Sequence, residues 1–178
     1  METKKYKIIV IGNGAVGKTT LITKFTNYYN SFDPTIPDVY FKKLNINGIQ
    51  YEIEIIEMYD CFVYENCKKD FDKFGDGFII IYSICSQATF NDLDGYYNDI
   101  VNSRKTKDVP IILIGSKKDL ENERIVEEKY GKEFAEEKTI DFMEINAKNE
   151  EDVNAVFYSL IKKIDEKYST QSSYCCLL

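Results

Sequence analysis

Tyr6-Lys7-Ile8-Ile9-Val10-Ile11-Gly12-Asn13-Gly14-Ala15-Val16-Gly17-Lys18-Thr19 is the stretch that decides the fold. Its first six residues are β-rich and mostly apolar, which reads as a buried strand. Its last eight match G-x-x-x-x-G-K-[ST], the phosphate-binding P-loop. The glycines let the backbone wrap closely around phosphate oxygens. Successive N–H groups then point inward as an anion nest. A helix expected over about residues 19–28 adds its positive N-terminal end. Lys18 is placed to neutralise the β- and γ-phosphates, and the Thr19 hydroxyl to bind Mg2+. Gly12, Asn13, Gly14, Ala15, Val16, Gly17, Lys18, Thr19 and Thr20 are therefore the expected phosphate contacts. Alone, the loop specifies phosphate and not guanine.

Outward from the loop, residues 41–46 alternate and residues 51–56 return, with the hairpin signal Asn47-Gly48 between them. Gly77 precedes a buried strand at 78–82. Residues 92–103 read as a helix. Pro110 precedes a strand at 111–114 that Gly115 should stop. Residues 125–137 and 151–167 are amphipathic helices, with a short strand at 142–145 between them. After the hairpin, strands and helices alternate. That order means right-handed crossovers and a mostly parallel sheet covered on both faces. Ligands of such sheets sit at the carboxyl ends of the strands, where the P-loop falls.

The 178 residues suit one domain, and 44% hydrophobic content supplies one core. The formal charge is −7, with basic groups only in short clusters such as Lys4-Lys5 and Lys42-Lys43. That balance argues against nucleic acid as a partner. The chain has no histidine, which excludes histidine triads, histidine-bound metals and imidazole acid–base chemistry. Its five cysteines (Cys61, Cys67, Cys85, Cys175 and Cys176) follow neither a disulfide framework nor a zinc pattern. A reducing cytosol fits that usage. Met1-Glu2-Thr3-Lys4-Lys5 lacks the apolar stretch of a signal peptide, and the longest apolar run, around 78–84, is too short to span a bilayer.

Further segments follow the P-loop in order. They are Phe32-Asp33-Pro34-Thr35-Ile36-Pro37-Asp38-Val39-Tyr40, Gly75-Asp76-Gly77-Phe78, and Val109-Pro110-Ile111-Ile112-Leu113-Ile114-Gly115 with Lys117-x-Asp119-Leu120. Ala147-Lys148 and the final Cys175-Cys176-Leu177-Leu178 complete the set. With the P-loop, these segments make the chain resemble the Ras family of small GTPases along nearly its whole length. They look like the effector loop (switch I), the start of the fourth strand, the base-recognition segment, the end of the last guanine-contact motif, and a prenylation box. The spacing matches apart from about two residues fewer between the P-loop and switch I.

The resemblance implies an α/β P-loop small G-domain over residues 1–168, followed by a flexible tail at 169–178. Its sheet would be mostly parallel and six-stranded, with one antiparallel edge hairpin and helices on both faces. GTP or GDP and Mg2+ are the implied cofactors. Thr35 would join Thr19 on Mg2+ and bond the γ-phosphate, ordering switch I only in the triphosphate state. Asp119 would accept two bonds from the guanine edge, and a polar pattern of that kind rejects adenine. Lys117 would lay its stem against the base, with Ala147 and Lys148 in the last guanine-contact motif. Tyr29, in Asn27-x-Tyr29, stands where the family places an aromatic over the base, and Tyr28 competes for that role. The implied partners are effector proteins at residues 32–40, an exchange factor, and a membrane. The protein would be a lipid-anchored monomer on the cytoplasmic face of a plasma membrane or endomembrane.

The departures bear on turnover. Where the family has Asp-x-x-Gly-Gln, this chain has Glu57-Met58-Tyr59-Asp60-Cys61. Glu57 keeps a carboxylate with one more methylene, able to hold a Mg2+-bound water in adjusted geometry. Asp60 brings negative charge near a polyanion, where like charges cost on the order of a few kcal/mol. Cys61 takes the place of the glutamine that positions the attacking water, and a thiol is a poor donor and acceptor. No catalytic residue is therefore assigned, and hydrolysis is expected to be very slow. Ser116 stands where the family has asparagine, so one tether between base, P-loop and strand is expected to be lost. Asn146 stands where the family has serine. Each lost contact costs about 1–3 kcal/mol, which makes exchange fast. Pro37 sits where an acidic residue is common, which turns away ordinary Ras partners.

At the tail, the last helix is expected to end near Lys167, with a flexible linker over 169–174. Cys175-Cys176-Leu177-Leu178 reads as a C-a-a-X box with geranylgeranylation of Cys175. The competing reading is a doubly modified cysteine pair, as in the Rab relatives. One lipid without a polybasic run gives a reversible hold. Three functions follow from the sequence: a slow guanine-nucleotide switch, a membrane-tethered pseudo-GTPase that only binds partners, and an unrelated P-loop kinase. Asp119, Thr35 and the prenyl box argue against the last.

Overall fold

The structure, a computed structural model, describes residues 3–28, 39–58 and 75–175, with the side chains of the final helix described as far as residue 169. The strands are β1 (Thr3–Ile11), β2 (Val39–Ile46), β3 (Ile49–Met58), β4 (Gly77–Ser83), β5 (Ile111–Ser116) and β6 (Asp141–Glu144). The α-helices among the described residues are α1 (Lys18–Thr26), α2 (Gln87–Asn91), α3 (Leu93–Arg104), α4 (Glu128–Lys138) and α5 (Glu150–Cys175). The six strands form one sheet in the order β2-β3-β1-β4-β5-β6. Among the described residues only β2 and β3 pair antiparallel, as the edge hairpin the sequence predicts, and the other pairings are parallel.

Alternation along the strands divides the core in two. Ile8, Val10, Ile79, Ile81, Ile112 and Ile114 face α1 and α5, where Leu21, Phe25, Phe157 and Leu160 meet them. Ile9, Ile11, Phe78, Ile80 and Leu113 face α3 and α4, against Leu93, Tyr96, Ile100 and Ala135. The central strands β4 and β5 are buried at every position, which is why they read as continuous apolar runs.

Several boundaries differ from the sequence reading. Gly115 does not stop β5. The strand runs on to Ser116, and a Cβ at Gly115 would meet Tyr82 Oη at 2.9 Å and Glu144 Cγ at 3.0 Å. The glycine there serves packing. Helix α4 starts at Glu128 and not at 125, because the N–H groups of Ile125 and Val126 both donate to Ile84 O at 2.9 Å and pin that segment to the end of β4. Helix α5 continues to Cys175 and replaces the expected linker over 169–174 with helix. Residues 168–175 contain neither glycine nor proline to end it. The sequence reading passed over α2 and a 3-10 segment at Lys118–Glu123.

At the end of the sheet away from the P-loop, Asp165 of α5 accepts hydrogen bonds from Lys4 Nζ at 2.6 Å and from Tyr6 Oη and Tyr51 Oη, each at 2.5 Å. Burial raises the Asp165 pKa, but the bonds from Lys4, Tyr51 and Tyr6 outweigh it and hold the carboxyl below its usual range. Burial, followed by the hydrogen bond and charge of Asp165, pushes the Tyr51 hydroxyl up to about 12. This cluster fastens the last helix to β1 and β3.

Candidate functional site

The chain leaves β1 at Ile11 and turns at Gly12, where a Cβ would lie 2.2 Å from the carbonyl oxygen of Ile81 in β4. Only glycine lets the end of β1 lie that close. Left-handed conformations at Ala15 (φ 59) and Gly17 (φ 100) then bring the loop back on itself. Gly17 caps α1 with no side-chain hydrogen bond to the helix amides. The first turn is thus arranged to offer its N–H groups to an anion.

Lys18 is 3% exposed, and its ammonium donates to Gly12 O at 2.8 Å and Asn13 O at 2.6 Å. The cation is fixed inside the curve of the loop, where a phosphate's charge would meet it. Gly14 and Ala15 form the exposed crest, and Thr19 and Thr20 face outward from the first turn.

The Thr19 hydroxyl donates to Glu57 Oε1 at 2.7 Å. Glu57 is almost fully buried at the end of β3, in register with Val10 of β1. A hydroxyl beside a carboxylate is an oxygen-only donor set of the kind Mg2+ takes. No cluster of three metal-ligating side chains occurs among the described residues, and a Mg2+ here would also take water and substrate phosphate, its usual partners.

Two further ties fix the loop. Asn13 Nδ2 donates to Asp92 Oδ2 at 2.7 Å, just before α3, while Asn13 Oδ1 is buried and meets no hydrogen-bond donor among the described residues. Ser116 Oγ, fully buried, lies 2.5 Å from Val16 O in the loop and 2.8 Å from Tyr82 O in β4. This corrects the expectation for Ser116. The serine keeps the link between P-loop and sheet.

The residues expected from the sequence to meet a base gather at the ends of β5 and β6. Ile145 N donates to Gly115 O at 2.8 Å, and Lys118 N to Ile145 O at 3.1 Å, which draws the two segments together. Lys117 adopts a left-handed conformation (φ 66) and starts the 3-10 turn that carries Asp119. Asp119 Oδ2 accepts from Lys148 Nζ at 3.1 Å. Ala147, the residue before Lys148, is buried. Asn146 Oδ1 accepts from Lys148 N at 2.9 Å, and Asn146 N donates to Asp152 Oδ2 at 2.8 Å. Asn146 thus shapes the turn that presents Ala147 and Lys148.

Gly12 to Thr20, Lys117, Asp119, Ala147 and Lys148 are therefore all placed along one edge of the sheet. Tyr28 packs edge-to-face on Tyr40, ring centres 6.4 Å apart, and is half exposed. Tyr29, Thr35 and residues 32–38 of the effector segment lie outside the described residues, as do Asp60, Cys61 and residues 176–178. The side chain of Cys175 also lies outside them. The sequence reading did not find Asp92 as a partner of the loop. An isolated aspartate ahead of a helix carries no signal, because the contact joins residues far apart in the chain.

The sequence model of the Ras family matches residues 7–166 of the chain. The match takes in β1 from Lys7 onward, all of β2 to β6 and all of the site just described.

Proposed function

This chain belongs to the Ras family of small GTPases, and from that premise we propose that it works as a guanine-nucleotide switch with slow turnover. In this reading it binds GTP or GDP with Mg2+. It meets effectors through residues 32–40 when Thr35 is engaged by the γ-phosphate and the metal. The observation that carries the reading is the phosphate end of the site, where Lys18 is buried inside a closed loop and Thr19 is paired with Glu57. A module that had given up nucleotide has no need of a buried ammonium there.

Hydrolysis requires a water held in line with the γ-phosphorus and stabilisation of the charge that develops as the P–O bond breaks. The P-loop supplies charge through Lys18 and backbone N–H groups. The positioning of water rests on residue 61, and a thiol holds water poorly. Turnover is therefore expected to be slow at the positioning step, with binding retained. Exchange is expected to be fast because Ser116 is too short to reach the base.

The competing reading is a pseudo-GTPase that binds nucleotide without cycling, supported by Asp60 and Cys61 in the sequence. Thermal shifts with GDP, GTP and ATP, each with and without Mg2+, test the proposal. Stabilisation by the guanine nucleotides alone, strengthened by Mg2+, is the expected result. No shift with any of them would overturn it. Single-turnover measurement of [γ-32P]GTP separates a slow switch from an inert binder. In the same reading Cys175 carries a geranylgeranyl group and the protein rests on the cytoplasmic face of a membrane. Support comes from the Cys175-Cys176-Leu177-Leu178 sequence. Mass spectrometry of the C-terminal peptide from cells checks this.

A further inference from the structure

We propose that Glu57 ligates the Mg2+ of this site directly through Oε1, in place of one metal-bound water. The inference rests on the reading of the site as a Mg2+-nucleotide site and adds how this chain's own carboxylate completes it.

Three observations lead there. The first is register. Val10 pairs with Glu57 and Ile11 with Met58, so the ladder between β1 and β3 fixes the backbone of residue 57 beside the strand that feeds the P-loop. The second is length. The sequence has glutamate where the related pattern has aspartate, and the added C–C bond of about 1.5 Å carries the carboxylate farther from a fixed backbone. The third is spacing. Oε1 lies 2.7 Å from Thr19 Oγ1, the atom expected on the metal. Mg2+ holds its ligands octahedrally at about 2.0–2.1 Å, so adjacent ligand oxygens stand about 2.9 Å apart. The Oγ1–Oε1 separation is thus within about 0.2 Å of the spacing between adjacent ligand oxygens on one Mg2+.

Glu57 is 1% exposed, and a buried carboxylate is a group that a divalent cation stabilises. Direct ligation replaces a neutral water with an anion and ties the metal to the end of β3. A carboxylate that reached the metal only through water would orient ligands without entering the coordination sphere. The number of metal-bound waters separates the two arrangements.

The test uses Mn2+ as the probe, with GDP, on the full chain. Inner-sphere waters are counted from the line broadening of the Mn2+ EPR spectrum in 17O-enriched water, for the wild type and for Glu57→Asp. The wild type is expected to hold one water fewer than Glu57→Asp, whose shorter side chain leaves that position to water. Equal counts overturn the proposal. Glu57→Gln serves as the second variant. It keeps the length and loses the charge, and should raise the Kd for Mn2+ at least tenfold at unchanged melting temperature without metal. An unchanged Kd also overturns it. If no ternary complex with Mn2+ and GDP forms in the wild type, the nucleotide-site reading itself fails. If the complex forms with equal water counts, only the role of Glu57 fails.

Discussion

Replacing Gly12 with alanine would place a methyl carbon 2.2 Å from the carbonyl oxygen of Ile81. Close C···O contacts in proteins lie at about 3.3–3.6 Å, so the shortfall is about 1.1 Å. The atom struck is backbone in β4, a strand hydrogen-bonded on both sides. It cannot swing aside as a side-chain end would. Either the start of the P-loop or the central sheet must move. Overpacking costs about 1–3 kcal/mol where side chains yield, and a backbone clash belongs at or above the top of that range. At about 2–4 °C per kcal/mol for a domain of this size, Gly12→Ala should lower the melting temperature by about 6–12 °C. Gly14 is the internal control. A Cβ there meets nothing within 4 Å among the described residues, so Gly14→Ala should stay within about 0.5 kcal/mol, or roughly 2 °C. Circular dichroism melting of nucleotide-free protein reads both variants. A Gly12→Ala protein melting within about 2 °C of the wild type, or a Gly14→Ala protein as damaged as Gly12→Ala, would refute the reasoning.

Asn13→Ala removes the amide that joins the loop to Asp92 and leaves that carboxylate beside the phosphate site, so release of fluorescent GDP should quicken by about five- to tenfold, the kinetic equivalent of about 1–1.4 kcal/mol. Ser116→Ala removes the hydroxyl between Val16 O and Tyr82 O and should cost about 1–2 kcal/mol in urea unfolding. The carboxyl of Asp165 is held below its usual range in the fold, so its contribution is present above an unfolded pKa of about 4 and fades as the pH falls through the folded value. The melting temperature of Asp165→Asn should therefore lie below that of the wild type at pH 7, and the gap should shrink in more acidic buffer. Tyr51, raised to about 12, adds stability that is present below pH 10 or so and lost as the pH rises from there through 12. A Tyr51→Phe protein should accordingly lose less stability than the wild type in melts over that alkaline window.

The fold was legible because its decisive signals are local. Apolar runs in β4 and β5, the Asn47-Gly48 turn and the P-loop each lie within a few adjacent residues, and the parallel sheet follows from their order. The misread boundaries belong to residues whose role is set by distant neighbours. Gly115 looks like a strand stop until Tyr82 and Glu144 are seen against it. Ile125 looks helical until its N–H is found on Ile84 O. The end of α5 is the reverse case. A polar serine-rich stretch suggested linker, yet nothing in it breaks a helix, and the helix continues.

The site follows the same division, and that bears on the expected kinetics. The motif residues Lys18, Thr19 and Asp119 were legible, while the cost of the departures was not. From sequence, Ser116 in place of asparagine reads as a lost tether. In the fold its oxygen lies within hydrogen-bond distance of both the loop and β4, and Asn146 holds the turn that presents Ala147 and Lys148. One hydroxyl proton serves one acceptor at a time, so the link is worth about one hydrogen bond, on the order of 1 kcal/mol. The deficit expected from position 116 then falls on the contact with the base and not on the tie between loop and sheet. The loop should stay well formed whether or not nucleotide is bound, and weakened affinity should appear as faster release of nucleotide with little change in its capture. If association of labelled GDP slowed while release stayed unchanged, the loop would have to be assembled by the nucleotide, and the tie through Ser116 could not have the part assigned to it.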